Sequence, residues 1–442
     1  MPTSKFRCVV GQKEKSVRSS KTCFFGIFLL MLISQVQANM YPIDLNAVYQ
    51  SALSSSNEYR ALEKEVQSAT ALADIESQYY TPKATLTGEW NQYYGSETPD
   101  PSRSDALKFN VDMKLWGTGV ADKISAANSN LEASRLVVNS EALSVYHTVL
   151  RYLAKIERTR FYLIDNEIIE QRLKDYVEKQ RTASNEGIAS LSSLKEAELE
   201  LSRFKDSIAR IKASIDQMFR SLREDTNYQT DTPANVGLNP NLLEQLLSVN
   251  IADITEADIK KSNMELRNRN LLLDYQLKTA SAQRERLVVS LVNETQFEVY
   301  GSDEWRAGDI KTDSYIGLKA TYDLFSYQND QSQKSAYYLY DAEMERVYLL
   351  QVQLSSQLNS LQKDFLDIKD KRMSLMEQIT LNEDLVSTQE KELLIDKLEY
   401  VDIVKSLSGL SASYGTLLNY DLSLIDAIVD TMALQSTQFL NE

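Results

Sequence analysis

Histidine and cysteine, two of the commonest catalytic side chains, are nearly absent from this 442-residue chain. His147 is the only histidine, and it stands between Val145 and Val149, two positions of an apolar helical stripe. Both cysteines, Cys8 and Cys23, fall within the first 38 residues. Beyond that point there is no thiol for a nucleophile, a disulfide or a thiolate metal site. No His-Cys-Asp grouping, glycine-rich phosphate loop or nucleophile elbow occurs. Carboxylates are abundant, but they are spread along helical periodicities, where a solvated face accounts for them. The expectation is a protein with no catalytic residue, no cofactor and no metal.

The N-terminal segment reads as an export signal over residues 1–38. Lys5, Arg7, Lys13, Lys15, Arg18 and Lys21 precede an apolar run from Cys23 to Ile33, and Val36-Gln37-Ala38 supplies small residues for cleavage. That run is about half the ~20 residues a spanning helix needs. Without the segment, 48 basic and 63 acidic residues fall to 42 and 62, a net charge of −20. A chain this acidic repels phosphates, so nucleic acid is excluded as a general partner.

What remains must be read from the elements. Six prolines follow residue 38, with none between Pro101 and Pro233 or after Pro240, so very long helices are expected. From Tyr340 the apolar residues step by three and four through Met344, Val347, Leu354, Leu358, Leu361, Phe365, Ile368, Leu375 and Ile379. This is a coiled-coil seam, broken only at Gln351 and Arg372. A matching seam runs through Val145, Val149, Tyr152, Ile156 and Leu163.

Four short segments break the helical pattern. Over 106–116, Leu107, Phe109, Val111, Met113 and Leu115 alternate with Lys108, Asn110, Asp112 and Lys114. Over 314–325, Ile316, Leu318, Ala320, Tyr322 and Leu324 alternate with polar residues. Period two over ten residues means a strand with one apolar and one wet face. With the weaker partners at 84–95 and 294–305, they form two β-hairpins, 84–116 and 294–325. Trp90, Trp116 and Trp305 sit in or beside them, as aromatic residues do at a membrane interface. Four strands close no barrel, and an open edge is too costly in lipid, so several chains must share one.

The hairpins mark a duplication. Asn57 and Glu58 open a helix before the first; Asn263 and Glu265 stand similarly before the second. Leu115-Trp116-Gly117 and Leu324-Phe325-Ser326 leave them. Each half reads as a helix of roughly 40 residues, a hairpin, a helix of roughly 65 residues and a shorter return helix. The first repeat covers 39–225, a linker region 226–252, with 226–242 expected as a loop, and the second repeat 253–442. The fold class is mainly α with a small β-barrel contribution.

This order resembles the TolC family of outer-membrane efflux and secretion proteins. Ser56-Asn57-Glu58-Tyr59-Arg60-Ala61 is similar to the family's Asn-Pro-Glu-Leu-Arg-like segment, Pro82 to the proline entering the first strand, and Leu115-Trp116-Gly117 and Asp323-Leu324-Phe325-Ser326 to its hairpin exits. Gly187-Ile188-Ala189-Ser190 is similar to the small-residue segment at the far helical turn. The resemblance implies a homotrimer with a shared twelve-stranded barrel in outer-membrane lipid and a long α-helical coiled-coil barrel in the periplasm. It implies passive conduction as the exit duct of a tripartite efflux pump or type I secretion system. The implied partners are a periplasmic adaptor protein and an inner-membrane transporter.

The resemblance also places candidate residues. A ring of aspartates narrows the family's tunnel; here Asp402 matches the first position, and Lys405 stands where a second aspartate is common. Gly187 and Ile188 match the first adaptor-docking turn, with Leu398 at the second, where Asp396 replaces the usual glycine. A solvated helix face is the alternative reading of Asp402, and a plain helix cap that of Gly187. For the whole chain, an exported structural or adhesive coiled-coil protein is the alternative to a channel.

Overall fold

The computed structural model describes residues 45–93, 102–226, 237–283, 287–301, 310–322, 327–393 and 399–439. The export signal, both hairpin tips, Trp305 and Leu398 lie outside them. The elements in chain order are α1 (Leu45–Ser55), α2 (Asn57–Ser77), β1 (Lys83–Tyr93), β2 (Ser102–Gly117), α3 (Val120–Asn185) and α4 (Leu191–Thr226). After the linker come α5 (Pro240–Ser248), α6 (Glu256–Ser262), α7 (Met264–Ala282), β3 (Leu287–Gly301), β4 (Ile310–Tyr322), α8 (Tyr327–Leu393) and α9 (Tyr400–Gln435). The chain is mainly α with one small sheet.

The two long helices, α3 and α8, have 66 and 67 residues. At ~1.5 Å per residue each is about 100 Å long. No single helix covers that length on the way back. Instead α4 meets α2, and α9 meets α7, end to end. At the first junction Ser55 Oγ donates to the Thr226 carbonyl, 2.9 Å away. At the second, Asn263 Nδ2 donates to the Leu434 carbonyl at 2.8 Å, and Ser436 Oγ accepts from the Met264 N–H at 2.9 Å.

The helix entering each hairpin is shorter than the roughly 40 residues the sequence suggests. In both repeats a capping residue breaks it. Ser56 accepts from the Tyr59 N–H and Asn263 from the Leu266 N–H, each satisfying an orphan donor of the first turn. A side chain that competes for backbone donors favours a fresh start over an uninterrupted helix. Ser56 thus corresponds to Asn263, one residue before Asn57.

Further boundaries differ: β2 begins at Ser102 rather than 106, and β4 spans Ile310–Tyr322 rather than 314–325. Strand β3 begins at Leu287, seven residues ahead of 294, because the run Leu287-Val288-Val289-Ser290-Leu291-Val292 suits a pleated surface. The region 226–242, read as loop, already enters α5 at Pro240, with Asn239 capping and proline in the first turn. Leu243 and Leu246 of α5 are buried against α3 and α9, in a core that includes Leu150, Leu153, Ile425 and Ile428.

Candidate functional site

The sheet has the order β1-β2-β3-β4 with every neighbour antiparallel, so β1 and β4 are open edges. Its register collects the apolar residues onto one face. Leu86 lies opposite Phe109, Leu107 opposite Phe297, Met113 opposite Leu291, and Leu291 opposite Leu318. Most of these side chains are exposed, Leu318 by 73% and Leu86 by 65%, and Ile316 beside them is exposed by 72%, while Met113 is half-buried. The other face is polar. There Lys108 Nζ donates to both Glu89 oxygens at 2.9 and 3.0 Å, and the Tyr315 hydroxyl donates to Glu294 at 3.0 Å. Strands of 11 to 16 residues are long enough, when tilted, to cross a hydrocarbon layer.

A bulge between Lys114 and Trp116 shifts the register, so that Trp116 pairs with Val289 and joins the apolar face. Strict alternation would have turned it inward. Trp116 is half exposed, and Tyr80, Tyr322 and Tyr327 are exposed at the same, helix-side end of the strands. Tyr79 joins them, with the Lys114 ammonium 4.3 Å above its ring. This aromatic rim is mostly tyrosine, so tryptophan alone under-reported it. Of the three tryptophans, only the Trp116 side chain lies within the described residues.

At the opposite end, α3 stops at Gly187. The backbone there is left-handed, φ 76°, and the Ile188 N–H reaches back to the Ala183 carbonyl at 2.9 Å. Gly187 is therefore a helix cap, whatever else touches it. The turn leaves Ile188 77% and Leu191 66% exposed. Leu398 and Asp396, expected at a second turn, lie outside the described residues.

Asp402 sits in the first turn of α9, where the unpaired N–H groups favour an anion. It is partly buried, and Val401, Ile403 and Val404 beside it are buried against α3 and α4. Lys405 is exposed, and its Nζ lies 2.9 Å from Glu196 of α4. That hydrogen bond is the main cause of its raised pKa, with Asp402 a lesser contributor. Lys405 is thus committed first to Glu196, not to neutralising Asp402. The structure does not bring Gly187 or Ile188 into a described contact with Asp402.

A second set of charges, farther from the tip, was not legible in the sequence. Asp421 of α9 is fully buried between Arg158 of α3 and Arg372 of α8, each at 2.5 Å. Arg151 and Lys155 of α3 continue the ladder to Asp430 and Asp426 of α9. Nearer the tip, Arg172 and the Tyr176 hydroxyl both reach Glu390 of α8 at 2.6 Å. Burial, then the bond to Glu390, pushes the Tyr176 phenol up to about 12. For Glu390 burial acts the other way, but the bonds from Tyr176 and Arg172 outweigh it and lower its pKa. Arg372, one of the two breaks in the α8 seam, was the one trace of it that the sequence carried. Among the described residues no group of histidine, cysteine or carboxylate side chains is arranged to hold a metal.

Comparison with solved structures gives the fold. The outer membrane protein VceC from Vibrio cholerae superposes with a TM-score of 0.71 at 14% identity, over 90% of this chain and 97% of that one. The Campylobacter jejuni CmeC outer membrane channel gives 0.67 at 14%, over 100% and 95%. The Neisseria gonorrhoeae MtrE outer membrane channel in its open state gives 0.67 at 13%, over 89% of each chain. The chain has the TolC-type fold. No family model and no curated protein matches it by sequence. The TolC-type backbone is therefore retained at identities where sequence comparison fails.

Proposed function

We propose that this protein is a subunit of an outer-membrane exit duct, conducting substrate passively across the periplasm and outer membrane. The observation that carries the reading is the sheet. It exposes an apolar face, keeps a polar face opposite, and ends in two unpaired edges at the head of a helical shaft about 100 Å long. A scaffold or adhesin has no use for such a sheet, whereas three copies pairing their edges make a twelve-stranded barrel with a wet interior. A second feature supports a trimer. Tyr338, Val352, Leu366 and Met373 recur along α8 at multiples of seven residues, all exposed in the single chain. This exposed apolar register, interrupted at Glu345 and Asn359, lies beside the buried seam and is suited to a neighbouring helix.

On this reading residues 1–38 direct export, and the helices stand in the periplasm. The tip, with Ile188 and Leu191 exposed, is where a periplasmic adaptor would dock, with Gly187 shaping the turn and Leu398 at the next one. An inner-membrane transporter energises the efflux pump or type I secretion system. Asp402 from three chains would line the narrow end, where like charges near one axis attract cations.

The test is purified protein in planar bilayers. Discrete conductance steps with cation preference are expected, and Asp402→Ala should lower the cation-to-anion permeability ratio. Absence of any step would refute the duct. An unchanged ratio would remove Asp402 from the constriction.

A further inference from the structure

The wet face of the sheet changes character along its length. Cross-strand register places Lys83 opposite Asp112, Lys114 opposite Ser290, and Ser290 opposite Lys319. Alternation puts these five on the face that carries Lys108, Glu89 and Tyr315, away from Met113, Leu291 and Leu318. All five stand at the helix-side end of the strands. Toward the hairpin tips the same face carries Glu294 and Asp313, and Lys108 is matched there by Glu89. Among the described residues, base prevails at one end of this face and acid at the other.

The three lysines are exposed, and Ser290 is buried between two of them. Neighbouring strands lie ~4.8 Å apart, so the backbones of Lys114 and Lys319, two strands apart, are separated by about 10 Å. The serine between them is too short to hold their ammonium groups apart. Asp112 offsets one of the three charges. The Lys114 ammonium lies 4.3 Å from the centre of the Tyr79 ring, a contact that positions the charge without neutralising it. Among the described residues none of the three lysines is in an ion pair, unlike Lys108. Two unpaired ammonium groups side by side repel each other, and a multivalent anion relieves that repulsion.

We propose that Lys114 and Lys319 of one chain hold a multivalent phosphate-type anion between them, and that with Lys83 they form a cationic belt where the shaft meets the barrel. Lysine binds such groups as a point charge. The belt rests on the duct reading, because three copies are needed to close nine lysines and three aspartates around one lumen; the pair within a chain does not. A solute in the duct then passes two filters of opposite sign, Asp402 at the narrow end and the lysines at the barrel.

The test uses sodium tripolyphosphate on the purified full-length protein. In planar bilayers of phosphatidylcholine it should block the conducting steps, and less so as salt rises. Lys114→Gln with Lys319→Gln should raise the half-blocking concentration at least about ten-fold. The same variant should raise the cation-to-anion permeability ratio, the opposite of Asp402→Ala. Lys114→Arg with Lys319→Arg keeps the charge and should be blocked as the wild type is. Conduction without block, or equal block in the glutamine variant, overturns the belt and leaves the duct standing. Exchanging part of the lipid for phosphatidylglycerol should not alter the block; a change would assign the lysines to lipid headgroups and overturn a soluble anion as their ligand. Calorimetric titration of tripolyphosphate into the protein in uncharged detergent reads the pair without conduction. Binding that the glutamine variant loses, in a protein that never conducts, supports the pair and refutes the duct. Absence of binding refutes the pair.

Discussion

The two long helices occupy equivalent places in the two repeats, yet they are buried very differently. Helix α3 has 22 buried residues among its 66, and α8 has 9 among its 67. α3 is surrounded by α2, α4, α7 and α9 of its own chain. α8 packs on α7 and α9 through one seam, Val347, Leu350, Leu354, Leu358 and Phe365, and leaves a second stripe uncovered. The two halves share one element order, and only one long helix is completed within the chain. On the proposed reading, the less buried helix is the one that meets another protomer. Such a stripe would be an aggregation hazard if it were left in water.

The largest effect should therefore come from charging that stripe. Val352→Glu with Leu366→Glu introduces two carboxylates on positions 50% and 46% exposed in the single chain. Folding of the protomer should survive, because neither side chain is in its core. The trimer should be lost, read as a shift from three chains to one by light scattering in detergent. A charge added at an exposed position of α3, Ile168→Glu, should leave the trimer intact. An intact trimer with a charged α8 would mean that the stripe faces something other than a second copy.

How much of this was readable beforehand follows from the range of each interaction. Helix lengths, the return helices and the alternating strands depend on residues two to four apart, and the spacing of proline and apolar side chains displays them. The capping breaks at Ser56 and Asn263 are local too, but serine and asparagine occur in helix surfaces as well, so the break showed only once their side chains were seen on backbone N–H groups. The bulge that turns Trp116 outward depends on pairing with β3, about 170 positions away along the chain. Asp421 is the extreme case. Its partners lie 49 and 263 residues distant, so nothing near it marks it as buried. Asp402 and Lys405 stood out only by resemblance, and the tie from Lys405 to Glu196 needed the neighbouring helix.

Asp421 gives the next test, because it joins the completed helix to the incomplete one. Removing it leaves Arg158 and Arg372, with side chains only 22% and 29% exposed, facing each other without a counter-charge. Asp421→Ala should cost about 3 kcal/mol. Glu390→Gln, which breaks a more exposed link between the same two helices, should cost under about 1 kcal/mol. Denaturant midpoints of the two variants measure the gap. Equal losses would show that burial of the carboxylate is not what ties α3 to α8.

The smallest effect separates the two end-to-end junctions. That between α4 and α2 contains no group that titrates near neutrality among its hydrogen-bonding residues, Ser55 and Thr226. Beside that between α9 and α7 lies His147 of α3, 4% exposed, whose Nε2–H donates to the Thr437 carbonyl at 2.8 Å. Burial lowers the His147 pKa from the ordinary 6.5. Arg151 pushes the same way, while the Thr437 carbonyl and Asp430 oppose without prevailing. The folded state therefore resists the proton that the unfolded chain accepts at pH 6.5. Stability from this group is complete above that pH and falls as the pH drops from 6.5 toward the lower folded value. Melting temperatures between pH 7.5 and 5 should decline in the wild type, and His147→Gln should flatten part of that slope. Exchange at the Asn263 and Leu434 amides should rise over the same interval while that around Ser55 and Thr226 stays level. A parallel rise at both junctions would assign the pH response to the carboxylates of the shaft rather than to the imidazole.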